Sequence, residues 1–249
     1  MKTVVVVPVR DEADALERLL PRVGAQAGGA TVVVVDDGSS DGSAEVARRH
    51  GVAVIGQRPL GKPAAVRCGF EYALAQDCDA AVVFDGDGQH PPEALPDMIG
   101  LLRSSDIVKG ARFHPASPQI GTPDDRQELC RRIRDLVREH TGWVVHDPQC
   151  GFVGLRRPMI ELVLSSLSWT VEWEIELIVW LRSRTVNGCP ILELPIPAIY
   201  ADLPGRKQAV KYDPAFSRAR LQERFPRQAR AVAEAAVRYL QLRTAEERP

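Results

Sequence analysis

Two carboxylates, Asp85 and Asp87, stand two residues apart in VVFDGDGQHPPE, at the exit of an apolar run, with Gln89 next in the alternation. Neighbouring carboxylates repel one another and resist desolvation, so a strand exit that carries both has use for a positive partner. Mg²⁺ and Mn²⁺ take oxygen ligands and commonly bridge one or two carboxylates to nucleotide phosphates. Alternate side chains of an extended segment point the same way, which makes Asp85, Asp87 and Gln89 the candidate metal ligands; Gly86 and Gly88 leave room for a phosphate. The competing reading is a polar turn capped by aspartates.

Other residues could serve the same chemistry. In DDGSSDGS, Asp37 can accept from a base N–H or a ribose hydroxyl, while Ser39, Ser40 and Asp41 suit an Asx-type turn that opens a helix. Lys62 starts a helix, where a cation opposes the helix dipole, so it either reaches an anion or lies exposed on a loop. Arg112, the arginines of the Gln127 to His140 segment, and Arg206 with Lys207 are candidate phosphate clamps, because guanidinium groups match phosphate oxygens; for most of the helix arginines a solvated surface role is favoured. Glu172, Glu174 and Glu176 interrupt an otherwise apolar helix. The first and third share a face at i, i+4, and any of them could act as a general base or pair with an arginine of the preceding helix. His90, before two prolines, reads as a turn residue, and the tryptophans read as core before they read as an acceptor wall.

The elements that must position these residues are legible from periodicity. Thr3 to Val7, Thr31 to Val35, Val52 to Ile55 and Ala80 to Phe84 are short apolar runs of the buried-strand type. Between them, Asp11 to Val23, Ala44 to His50 and Pro63 to Ala75 have helical spacing, with Asp11 available as a cap. Alternation of strand and helix implies an α/β fold with a mostly parallel, doubly wound sheet and flanking helices. Ligands of such sheets sit beyond the carboxyl ends of the strands. Pro8, Arg10 and Glu12, then Asp36 and Asp37, then Asp85 and Asp87 are therefore expected to converge on one crevice. Beyond residue 105 a strand in DIVKGARF, a Pro-rich polar connection, a helix over Gln127 to His140, a turn and strand in DPQCGFVGLRRP and a helix over Val171 to Arg182 are expected. Ile191 to Ile199, broken by two prolines, reads as an edge strand, and the chain from Pro214 onward as a basic helix.

Composition narrows the partners. The chain has 249 residues, 32 basic against 33 acidic, so no net field favours nucleic acid. The five cysteines have no CxxC spacing and an odd count, which fits reduced cytosolic thiols better than a zinc site or a disulfide framework. The first apolar run is too short for a signal-peptide core, and no segment has the ~20 apolar residues that a membrane-spanning helix needs. A cytoplasmic location follows, with a peripheral position on the cytoplasmic membrane face as the alternative that the basic tail allows.

Taken in order, VVVPVRDEA, VVVVDDGSSDGS, GKPAAVRCGF, VVFDGDGQHPPE, KGARF, DPQCGF and WEIEL followed by LELPI resemble the family-2 glycosyltransferases of the GT-A fold, and within them the dolichol- or polyprenyl-phosphate mannosyltransferases. The resemblance covers about residues 3 to 210 and implies a GT-A domain over 1–212, with a nucleotide-sugar half over 1–110 and an acceptor half over 111–212. A basic amphipathic tail, 213–249, follows. It implies donor-binding roles for Pro8, Arg10, Glu12, Asp37, Lys62, Asp85, Gly86, Arg112, Arg206 and Lys207. It makes Asp85, Asp87 and Gln89 ligands of Mg²⁺ or Mn²⁺, and Asp87, Asp147, Glu174 and Glu176 the catalytic set. Asp11 stands where asparagine is usual, Arg10 where an aromatic is, Cys150 where serine is, and Asp202 about where an arginine is, with Arg206 and Lys207 nearby.

The implied reaction is metal-dependent, inverting transfer of a hexose, mannose or glucose, from a GDP- or UDP-sugar to a polyprenyl phosphate. A phosphate acceptor is already anionic; a hydroxyl would need a base such as Glu176. A soluble small-molecule or glycan acceptor is the alternative within the class. A sugar nucleotidyltransferase, whose opening loop is usually Gly-rich unlike PVRDEADALERL, and an inactive nucleotide-binding protein are the alternatives outside it. The tail serves a membrane surface, a packing contact or a homodimer equally.

Overall fold

The computed structural model describes residues 1–185, 188–200 and 214–240, with side chains of the last segment from residue 222. Strands β1 (Thr3–Val9), β2 (Thr31–Asp36), β3 (Ala53–Gly56) and β4 (Ala80–Val83) lie parallel in the spatial order β3, β2, β1, β4. The sheet continues through β7 (Val153–Arg156), β5 (Ile107–Ala111) and β8 (Leu192–Pro195) to seven strands. β7 is antiparallel to both its neighbours, while β5 and β8 are parallel.

Both faces of the sheet are covered, as the unbroken valine runs require. Val4 and Val6 of β1 pack into one core, with Phe70, Ile133, Ile160 and Trp173, under α3 (Lys62–Ala75), α5 (Asp124–Thr141), α6 (Arg157–Ser166) and α7 (Trp173–Arg184). Val5, Val7 and Val9 point the other way, toward Leu16, Leu19, Val46 and Met98, under α1 (Ala13–Gln26), α2 (Ser43–Arg49) and α4 (Leu95–Leu101). Each fully buried Val or Leu contributes about 1.5–3 kcal/mol relative to exposure, so this two-sided burial is what fixes the strand register.

Three boundaries depart from the periodicity. α5 starts at Asp124 and not at Gln127, because extended Pro123 precedes it and Asp124 and Asp125 complement its amino-terminal dipole. α7 starts at Trp173, so Glu172 takes the N-cap position with φ −109° and ψ 45°. The run 191–199 is divided: β8 forms the edge of the main sheet, and β9 (Ala198–Ile199) pairs with β6 (Gln119–Ile120) in a small second sheet.

The last helix, α8 (Pro214–Tyr239), packs against α5 and α7. Val232 is fully buried in the first core, and Ala235 and Ala236 lie against Val179 of α7. Small side chains at this contact let the helix approach closely, which places its arginines beside the carboxyl ends of the strands. No described helix is long and apolar enough to cross a membrane.

Candidate active site

A cavity of about 450 Å³ opens beyond the carboxyl ends of the strands. Pro8 near the end of β1 and Arg10 and Glu12 after it stand in the wall, Asp37 follows β2, and Asp85, Gly86, Asp87 and Gln89 follow β4; Lys62, Arg112 and Glu174 complete the group. The crevice inferred from strand exits is assembled without Asp36, whose carboxylate accepts from Ser39 N in the turn, and the residues around β4 reach it by another route than alternation. β4 ends at Val83, and Asp85 to Gln89 form a turn in which the Gln89 N–H donates to Asp87 Oδ1 at 3.1 Å.

Asp85 is the electrostatic centre. Lys62 Nζ lies 2.9 Å from its Oδ1, and His90 Nε2 lies 3.2 Å from its Oδ2. The same Lys62 ammonium donates to Glu174 Oε1 at 3.0 Å. Burial opposes charge on Asp85, but Lys62 and His90 outweigh it and hold the carboxyl well below the usual range. Burial likewise opposes charge on Lys62, and the two carboxylates outweigh it and raise its pKa. The cation at the start of α3, misplaced for the helix dipole, is therefore held by two acidic residues from distant parts of the chain.

Two glycines make this approach possible. A Cβ on Gly151 would stand 2.5 Å from Lys62 Nζ and 2.7 Å from Asp85 Oδ2. One on Gly86 would stand 2.6 Å from Val9 Cγ1, so the β4 exit can only lie this close to β1 without a side chain there. His90, read from sequence as a turn residue, is 1% exposed, stacks on Phe152 at 5.6 Å and meets Phe84 edge-on at 5.8 Å. It positions Asp85 from behind, a role that the two prolines after it do not signal.

The DDGSSDGS loop forms the Asx-type turn expected of it. Asp36 Oδ1 accepts from Ser39 N, and Asp41 Oδ1 accepts from Ser43 N at 3.0 Å, as in an Asx-type turn. Asp11, offered as a cap for α1, sits at φ 55° and instead accepts from Ser40 N at 2.7 Å. The start of α1 is served across the crevice by Ser43 Oγ on Glu12 N and Asp41 Oδ2 on Ala13 N. Asp37 accepts from Gln57 Nε2, Leu60 N and Gly61 N at 2.7 to 2.9 Å, which fixes the loop that delivers Lys62.

Behind Arg112 stands Asp147, fully buried, accepting from Arg112 Nε at 2.7 Å, Nη2 at 3.2 Å and N at 3.1 Å. Burial opposes both charges; their mutual attraction lowers the Asp147 pKa and raises that of Arg112. Asp147 is not in the cavity wall, so its action is exerted through Arg112. Burial pushes the neighbouring Cys150 thiol up to about 11, which keeps it neutral, a poor nucleophile in the place of the usual serine. All five cysteines are free.

Glu176 is also placed away from the cavity wall. Its Oε1 accepts from Ser168 N at 2.6 Å and Tyr239 Oη at 2.6 Å, and its Oε2 from Thr170 N at 3.0 Å. These bonds fix the loop before α7 and the end of α8. Glu172 joins the helical ladder through its carbonyl, which accepts from Glu176 N at 3.0 Å, but as the N-cap its carboxylate leaves the face of Glu176 for other partners. Glu172 turns into the cavity wall with Glu174, and the carboxylates find their cations on α3 and α8 and not on the preceding helix. The Trp side chains pack as core residues: Trp173 is buried, and Trp169 stacks on it at 6.0 Å.

The wall also contains Arg126 and Gln149, and from α8 Arg224, Arg227 and Gln228. Single arginines in charge-rich helices carry no periodic signal, so the sequence marked α5 and the tail as basic without marking these positions. Arg206 and Lys207 lie outside the described residues.

Among the described residues, no group of three or more His, Cys, Asp or Glu is arranged to hold a metal unaided. Asp85 and Asp87 are nonetheless hard oxygen donors in one wall, the donor set that Mg²⁺ or Mn²⁺ uses when a diphosphate supplies further ligands. The residues fit such an ion, which would share Asp85 with Lys62.

The sequence profile described as Glycosyl transferase family 2 matches residues 4–164. Polyprenol monophosphomannose synthase of Mycolicibacterium smegmatis is 29% identical over 208 residues, 78% of this chain and 76% of that protein. An undecaprenyl-phosphate 4-deoxy-4-formamido-L-arabinose transferase of Pseudomonas aeruginosa is 34% identical over 173 residues, 65% of this chain; the match spans about half, 49%, of that longer protein. Among solved structures, glucosyl-3-phosphoglycerate synthase from Mycobacterium tuberculosis, in complex with Mn²⁺, uridine diphosphate and glucosyl-3-phosphoglycerate, superposes with a TM-score of 0.62 at 20% identity, over 91% of this chain and 78% of that one. That likeness is one of fold.

Proposed function

Because the chain belongs to glycosyl transferase family 2 and has the GT-A fold, we propose that it transfers a hexosyl group, mannosyl or glucosyl, with inversion, from a GDP- or UDP-sugar to a polyprenyl phosphate. The observation that carries the reading is the single cavity wall in which the β4 carboxylates, Lys62 and a set of arginines converge. The names of the two curated relatives, both built on polyprenyl-type carriers, support the acceptor class.

The donor occupies the strand-exit side, with its nucleoside toward Pro8, Arg10, Glu12 and Asp37 and its diphosphate toward Asp85, Gly86 and Asp87. Mg²⁺ or Mn²⁺, held by Asp85 and Asp87 with Gln89 beside them, would supply Lewis-acid stabilisation of the departing diphosphate. Lys62 balances the charge of Asp85 and Glu174 around the same point. Arg112, aimed by Asp147, binds and orients phosphate oxygens. An acceptor phosphate oxygen attacks the anomeric carbon as the bond from that carbon to the diphosphate breaks, and the bonding pair leaves with the nucleotide. A phosphate nucleophile needs no proton removed, which suits a wall in which Asp85, Glu172 and Glu174 are already engaged with cations. Glu174 and Asp87 are the carboxylates at hand for a proton if the acceptor is a hydroxyl, and Glu176 serves the loop before α7.

Incubation with GDP-mannose, UDP-glucose and a polyprenyl phosphate, followed by mass spectrometry, tests the assignment. A glycosyl phosphodiester formed by the native chain and not by Asp87→Asn is the expected result. With glycerol phosphate as a second acceptor in parallel, transfer to it alone would exclude the lipid.

A further inference from the structure

Resting on the reading of a phosphate acceptor, we propose that Glu172 is a specificity-determining residue: its carboxylate sits on Arg227 and Gln228 of α8 and competes with an anionic acceptor for that seat. The carboxylate accepts from Arg227 Nε at 3.0 Å and from Gln228 Nε2 at 3.0 Å, and Arg227 Nη2 lies 2.8 Å from the same oxygen as Nε. All three residues are in the cavity wall. As the N-cap of α7, Glu172 is held to the helix through its carbonyl, which accepts from Ile175 N and Glu176 N at 3.0 Å, so its side chain can swing without unwinding a turn.

The charge balance around it gives the contact its meaning. On the donor side Lys62 is matched by Asp85 and Glu174, and Arg112 is matched by Asp147. On the α8 side Glu172, with its side chain 9% exposed, lies on Arg227, 53% exposed and therefore open to a ligand. Burial raises the Glu172 pKa, with Arg227 and Gln228 opposing that rise and nearby Glu174 adding to it, so this carboxylate is held in the wall against its own hydration. Gln228, 5% exposed, keeps an Oε1 with no hydrogen-bond partner, a buried acceptor facing unmet demand in the same wall. A phosphate monoester that takes the Arg227 guanidinium releases Glu172 and can satisfy that oxygen through a bridging water. The tail helix is then a part of the acceptor site, and its contribution is an exchange of one anion for another.

Opposite signs for two substitutions distinguish this exchange from a merely structural contact. Glu172→Gln removes the competing charge while its amide can donate to Gln228 Oε1, so the fold is kept; Arg227→Gln removes the seat. Titrations of the full chain with citronellyl phosphate in detergent micelles and with glycerol phosphate in water use a lipid-borne and a free phosphate monoester. Glu172→Gln is expected to bind ~3- to 10-fold more tightly than the native chain and Arg227→Gln more weakly by a similar factor, with nucleotide diphosphate affinity unchanged in both. That pattern with citronellyl phosphate alone assigns the seat to a lipid headgroup, and with both ligands assigns it to phosphate itself. Weakening in both variants, no change in either, or no phosphate binding at all would overturn the proposal. Absence of nucleotide diphosphate binding in the native chain would instead strike at the glycosyltransferase reading.

Discussion

Lys62 joins two carboxylates that the sequence places 23 and 112 residues away, and its removal is the most informative single change at the site. Asp85 has a folded pKa below its unfolded one, so its share of stability is present above about pH 4 and is lost as pH falls through the folded value. Lys62 has a folded pKa above its unfolded one, so its share is present below about pH 10 and is lost as pH rises through the folded value. Between these limits the pair is intact. Lys62→Met leaves Asp85 and Glu174 without their cation, at a cost of about 1–2 kcal/mol, the buried-pair figure reduced because Lys62 is 39% exposed. Melting curves from pH 4 to 8 should show the deficit growing as pH rises, since protonation relieves the unpaired carboxylates at the acid end; a pH-independent deficit would deny the pairing. Gly151→Ala should reach the same site by sterics: its Cβ enters the space between Lys62 and Asp85, for a loss of about 1–3 kcal/mol and of nucleotide binding. An unchanged melting temperature and affinity would show that the pair has room to move. Asp85 and Lys62 are each legible in the sequence as chemistry, because each breaks a local rule. That they bind one another is not, because sequence spacing carries no information about which strand exits face each other.

At the scale of elements, the parallel strands were legible because runs such as VVVV have no alternation and so demand cover on both faces. The antiparallel insertion of β7 between β4 and β5 was hidden, since VGLR is too short for a direction to be read. The start of α7 mattered more for the site: a shift from Val171 to Trp173 moves Glu172 out of the helix and into the cavity wall. The role of α8 was the main element missed, because an Ala- and Arg-rich helix reads equally as a membrane, dimer or packing face. Its polar residues serve two buried carboxylates, through Arg227 and Gln228 on Glu172 and Tyr239 on Glu176. A chain ending at residue 213 would strip Glu172 of Arg227 and Gln228, take the Tyr239 bond from Glu176 and expose the Val179 face of α7. A melting temperature lower by about 10 °C is expected by calorimetry, from roughly 3–5 kcal/mol of lost pairing and burial. Retention of the native melting temperature would mean that α8 is an appendage.

Across the whole molecule, a doubly wound sheet gathers residues from the exits of β1, β2, β4 and β5 and from α3, α5, α7 and α8, so donor and acceptor groups meet in one cavity. The strand-exit half of that arrangement followed from topology and the helical half from tertiary packing alone. The claim on which the function depends is that Asp85 and Asp87 bring a metal and a nucleotide diphosphate together. A thermal-shift panel of GDP, UDP, dTDP, CDP and ADP, each with Mn²⁺ and with EDTA, measures this directly, because a ligand that binds the native state raises its stability by mass action. One diphosphate should raise the melting temperature with Mn²⁺ and not with EDTA, and Asp87→Asn should abolish the rise while leaving the unliganded melting temperature unchanged. No shift with any of the five, or an equal shift in EDTA, would contradict it.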